Sequence, residues 1–127
     1  GIMTPYEPEW SRGVYHLYVI RTQERDELQR FLLERNIMTG LHYPIPLHLQ
    51  EAYAGYGFSA GDFPTAEASS REILSLPMFP GLTEEQQDRV VDALRSFPHG
   101  RRDDTLESQR AGAVPAQVIA GGAAGVS

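Results

Sequence analysis

YHLYVI, residues 15–20, is a run of aromatic and branched apolar residues with apolar side chains on both pleat faces, the pattern of an interior β-strand. An interior strand needs cover on both sides, and the sequence that follows supplies it. Thr22 can cap a helix running to about Glu34, in which Leu28, Phe31, Leu32 and Arg35 share a face and Asn36 suits a left-handed terminator. Leu28, Phe31 and Leu32 are therefore expected to pack on the sheet. IMTGLHY, residues 37–43, reads as a second strand, stopped by Pro44 and Pro46, which cannot donate to a ladder. A short helical stretch near Leu49–Tyr53 leads into a loop bearing Gly55, Gly57 and Gly61. A helix from Thr65 to about Leu74 precedes a short buried strand, SLPMFP, residues 75–80. Thr83 and Gln86 have capping-box spacing for a last helix, whose Val90, Val91, Leu94 and Phe97 form one stripe. The expected class is α+β, a short three-stranded sheet with helices on one side and strand order undetermined.

The organisation around this unit is simple. Residues 1–13, GIMTPYEPEWSRG, show no hydrophobic period and read as a connecting segment cut from something longer. Residues 14–97 form the folded domain. Residues 98–127 end in an uncharged alanine- and glycine-rich stretch that reads as a disordered tail, removable with little loss of stability. The net charge of −6 argues against a polyanion-binding surface, so no nucleic-acid partner is expected. No apolar run reaches the roughly 20 residues that span a bilayer, and the chain reads as cytoplasmic, without a membrane partner. With no cysteine there is neither a disulfide framework nor a thiolate metal site. All 11 basic residues are arginine. The absence of lysine excludes every mechanism in which this chain supplies a lysine Schiff base.

His42 and His48 are the residues most able to carry chemistry. A metal site would need a third ligand such as Glu51 or Asp62, yet an extended path through Pro44 and Pro46 would part the two imidazoles by roughly 20 Å. No strained nucleophile elbow accompanies the serines. The plainer reading gives each histidine ordinary hydrogen bonds at the ends of secondary-structure elements. Glu67 suits the first turn of a helix, with Arg71 available at i,i+4. Tyr15, Tyr18, Met78 and Phe79 are expected in the core, while Tyr53, Tyr56 and Phe58 lie on a loop from which they could stack on a base.

Taken in order, VYHLYVIR, RDELQRFLLERNIMTGLHYPIPLHLQEAY and GDFPTAEASSREILSLPMFPGLTEEQQDRVVDAL resemble the C-terminal small domain of the DegT/DnrJ/StrS sugar aminotransferases. The separated motifs G-L-H-Y-P-x-P-L-H, F-P-x-A-E and S-L-P-M-x-P carry the likeness from about Val14 to Phe97. It implies the small domain of an aspartate-aminotransferase-like, type I, pyridoxal-phosphate enzyme. The implied reaction moves an amino group from an amino acid, commonly glutamate, to a keto group on a nucleotide-linked sugar. The resemblance also implies a large cofactor domain as partner, a homodimer in the intact enzyme, and amino-sugar or polysaccharide biosynthesis as the setting. The family's cofactor lysine has no counterpart in this chain, which therefore reads as a partial enzyme, inactive alone, with no catalytic, cofactor-binding or metal residue of its own. By resemblance, His42 and Tyr43 would contact the nucleotide-sugar, and His48 would either join them or fix the loop. A non-catalytic sugar-nucleotide-binding or interaction module is the alternative reading.

Overall fold

The computed structural model describes residues 1–100. The tail beyond residue 100 lies outside the described residues. In chain order the regular elements are β1 (Tyr18–Arg21), α1 (Arg25–Leu33), two 3-10 turns (Leu47–Leu49 and Glu51–Tyr56), α2 (Pro64–Glu72), β2 (Ile73–Leu76) and α3 (Glu84–Ser96).

β1 and β2 pair antiparallel, with Tyr18 opposite Leu76, Val19 opposite Ser75, Ile20 opposite Leu74 and Arg21 opposite Ile73. Because side chains alternate along a strand, Ile20 and Leu74 share one face, and both are fully buried. Leu28 and Leu32 from α1, Ile37 just beyond it, and Ala93 and Phe97 at the end of α3 complete this core. Two helices thus cover one sheet face, as the periodicity requires. Arg21 closes the strand end by an ion pair with Glu72, Nη2 to Oε2 at 2.6 Å.

The helix ends show which local signals were decisive. Asn36 takes φ 56°; its N–H donates to Leu33 O and that of Ile37 to Leu32 O, both at 2.9 Å. This pair of bonds is a Schellman closure, and its usual apolar contact is met by Leu32 and Ile37 in the core. At the start of α3, Thr83 and Gln86 form both halves of the capping box. At α1 the expectation shifts: Glu24 occupies the cap position, and Thr22, buried, accepts the Glu24 N–H at 3.2 Å. The Glu24 carboxylate in turn accepts from Gly100 N at 2.7 Å and pairs with His99 Nδ1 at 3.2 Å. The bond from Gly100, followed by the one from His99, holds that carboxyl below its usual range. His99 and Gly100 are thereby tied to the start of α1.

Among the described residues the expected three-stranded sheet is corrected to a two-stranded one. Residues 37–43 contribute only Gly40, whose N–H and C=O both bond Ser75, at 2.9 and 2.8 Å. Pairing stops there because the chain bends at His42 and then meets two prolines without N–H groups. On the far side of β1, Met3 makes an equivalent single bridge to Arg21, so the opening segment also touches the sheet. β2 begins at Ile73 and ends at Leu76, earlier than the 75–80 reading, which leaves Met78 and Phe79 exposed instead of buried. In the α3 stripe Val91 is likewise exposed, and Ala93 takes the buried position. Tyr15 and Tyr18 are half-buried with ring centroids 5.1 Å apart. A hydrogen bond to Glu7 pushes the Tyr15 hydroxyl up to about 12.

Candidate functional site

The segment from Gly40 to Leu49 crosses the outer edge of β2 and presents the histidines in different ways. His42 is exposed as a residue, yet its ring is held: Nδ1 lies 3.0 Å from Oγ of Ser75. Ser75 is 3% exposed, on the face opposite Ile20 and Leu74. The ring can lie there because residue 40 is glycine. A Cβ at that position would come within 2.5 Å of His42 Cε1, a distance that no side chain could occupy without displacing the imidazole. Tyr43 follows across a cis peptide bond, 72% exposed, with its ring 5.7 Å from that of His42 in an edge-on arrangement. One imidazole and one phenol therefore face outward side by side, one of them mounted on a buried hydroxyl.

His48 is placed differently. Its side chain is almost wholly buried, and Nε2 meets Glu67 Oε1 at 3.1 Å. The same carboxylate oxygen accepts the Gly61 N–H at 2.7 Å. Phe63 packs on the His48 ring at 4.7 Å and Phe58 on Phe63 at 5.3 Å. Glu67 thus turns to His48 and Gly61, where the sequence had suggested Arg71 at i,i+4. Of the two roles open for His48, this geometry supports loop fixing: its Nε2 is taken, and it ties the proline loop to the first turns of α2. Sequence reasoning placed Gly61 on a loop and Ser75 on a strand but gave neither a part in the site; F-P-x-A-E drew attention to Glu67 but gave no hint of its partner.

The Gly61 N–H, followed by His48, holds the Glu67 carboxyl below its ordinary range. A depressed folded-state pKa contributes stability that is present above the unfolded carboxylate value and lost as pH falls through the folded one. The clasp should accordingly loosen on acidification below about pH 4, while Glu67→Gln should loosen it at neutral pH as well. The Gly61 amide reports this directly. Its hydrogen exchange is expected to speed up in the variant, and exchange equal to wild type would show that the carboxylate does not hold the loop.

Tyr53, Tyr56 and Phe58 are exposed or nearly so. Tyr53 and Tyr56 lie 5.8 Å apart at an interplanar angle of 40°, not as a parallel platform. Among the described residues no three His, Asp or Glu side chains gather as a metal site would need, and no helix there is long and apolar enough to cross a membrane.

Residues 1–95 match the model of the DegT/DnrJ/EryC1/StrS aminotransferase family. The chain is 49% identical over 96 residues to the pleiotropic regulatory protein of Geobacillus stearothermophilus, covering 76% of this chain and 26% of that protein. It is 44% identical over 97 residues to the dTDP-3-amino-3,4,6-trideoxy-alpha-D-glucose transaminase of Streptomyces venezuelae, with the same coverage of each, 76% and 26%. The solved structure of S. venezuelae DesV in complex with a ketimine intermediate superposes with a TM-score of 0.71 at 45% identity, over 75% of this chain and 26% of that one. The chain thus spans about a quarter of the length of the relatives it matches. On the extent of the family match and these identities, the chain belongs to the DegT/DnrJ/EryC1/StrS aminotransferase family.

Proposed function

We propose that residues 14–97 are the C-terminal small domain of a pyridoxal-phosphate-dependent aminotransferase of the aspartate-aminotransferase-like type, acting on a nucleotide-linked keto sugar with glutamate as amino donor. The observation that carries this reading is the outward-facing His42–Tyr43 pair, mounted on β2 through Ser75 in a family that includes dTDP-sugar transaminases. Imidazole and phenol groups both donate well to phosphate oxygens. Their part is to bind and orient the sugar nucleotide, with His42 and Tyr43 on the substrate and His48 keeping the loop in place.

The cofactor does not fit the residues of this chain, since none of its side chains is a lysine that could hold pyridoxal phosphate covalently. When bound, that group serves as the electron sink for amino transfer; its attachment belongs to a large domain outside these residues. Tyr43, Ile45 and Leu47, each more than half exposed, supply apolar surface toward that domain or toward the second subunit of a homodimer. The missing lysine equally favours a second reading, a non-catalytic module that keeps the sugar-nucleotide loop. The coding sequence upstream of Gly1 distinguishes the two. A continuous frame carrying a lysine-bearing cofactor domain supports the enzyme, and translation of this segment by itself supports the module.

A further inference from the structure

Ser75 is buried, and its hydroxyl has one partner among the described residues, His42 Nδ1 at 3.0 Å. Its backbone N–H and C=O are both taken by Gly40. The hydroxyl carries one proton, and a neutral imidazole carries one N–H. If Nδ1 were the donor, the serine proton would be left buried without an acceptor, a loss comparable to a missing hydrogen bond. If the serine donates, both groups are satisfied and the ring's remaining N–H sits on Nε2. Nε2 has no protein partner among the described residues, and the residue is exposed.

We infer that Ser75 is a positioning residue: by donating to Nδ1 it fixes the His42 ring over Gly40 as the Nε2–H tautomer, so that the outward nitrogen donates to a phosphate oxygen of the nucleotide-sugar. Gly40 belongs to the same device, because any side chain there would meet the ring. This inference rests on the substrate role proposed for His42 and adds the residue that sets its tautomer. It also explains why a buried serine, rather than an apolar residue, occupies the β2 position opposite Val19.

The test uses the whole chain with nitrogen-15-labelled histidine, observed under mildly alkaline conditions where imidazole is neutral, with thymidine diphosphate as probe. In the wild type the His42 Nε2 resonance is expected in the N–H range and Nδ1 in the unprotonated range. Ser75→Ala should draw the two resonances together as the tautomers mix, and should weaken thymidine diphosphate binding about fivefold to tenfold, as loss of one oriented hydrogen bond would. A wild-type ring protonated on Nδ1 overturns the inference outright, even if the variant does not fold. A wild-type ring of the expected tautomer that shifts with thymidine diphosphate, together with an unchanged tautomer and affinity in Ser75→Ala, rejects the positioning role and leaves the substrate reading standing. Tautomer control by Ser75 without any response of His42 to the probe rejects the substrate reading instead.

Discussion

Replacing Leu74 by alanine is expected to remove about 2–5 kcal/mol of stability, the range for deleting a buried leucine side chain and leaving a cavity. Leu74 is fully buried on β2, opposite Ile20 and against the α1 leucines. A domain of this size has about 5–15 kcal/mol in total, so the loss takes away a large share, and the core is too small to distribute it. Urea unfolding of Leu74→Ala beside Leu76→Ala provides the check. Leu76 pairs on the same face but is only partly buried, and its variant should lose clearly less. Equal losses would mean that the sheet's apolar face is not graded as the structure has it.

The second large effect is all or none. Incubated with pyridoxal phosphate and then reduced with borohydride, the chain is expected to carry no pyridoxyl label on any side chain, and with glutamate and a nucleotide-linked keto sugar it should form no amino sugar. The reason is chemical: Schiff-base capture needs an amine, and with no lysine the α-amino group of Gly1 is the sole aliphatic amine in the sequence. Peptide mapping separates a label at Gly1, which would be adventitious, from one elsewhere. A side-chain label, or turnover by the chain alone, would refute the claim that the cofactor's anchor lies outside these residues.

What the sequence disclosed and what it hid divide along contact range. Asn36 and the Thr83–Gln86 box could be read because each is a bargain struck within one helical turn. Leu28, Leu32 and Phe97 were legible for a similar reason, since helical period selects the inward face. The sequence does not locate the boundary between α2 and β2, because ILSLP is too short for a period of 3.6 to be told from one of 2; β2 starts at Ile73, not at Ser75. The Gly40–Ser75 bridge could not be read, as one paired residue leaves no alternating pattern. The site followed the same rule. His42 and Tyr43 drew notice through their motif, but Ser75 lies 33 positions from His42 and Glu67 lies 19 from His48. Neither spacing has any local signature, and only the fold brings these groups together.

We propose that the face carrying His42 and Tyr43 receives the nucleotide-sugar while His48 serves the loop from behind. A perturbation map of the labelled chain during titration with a dTDP-linked sugar tests it most directly. The largest shifts are expected on His42 and Tyr43, His48 and Gly61 should change little, and His42→Ala should abolish the response at Tyr43. Shifts centred on Tyr53, Tyr56 and Phe58, or on His48 with His42 silent, would contradict it.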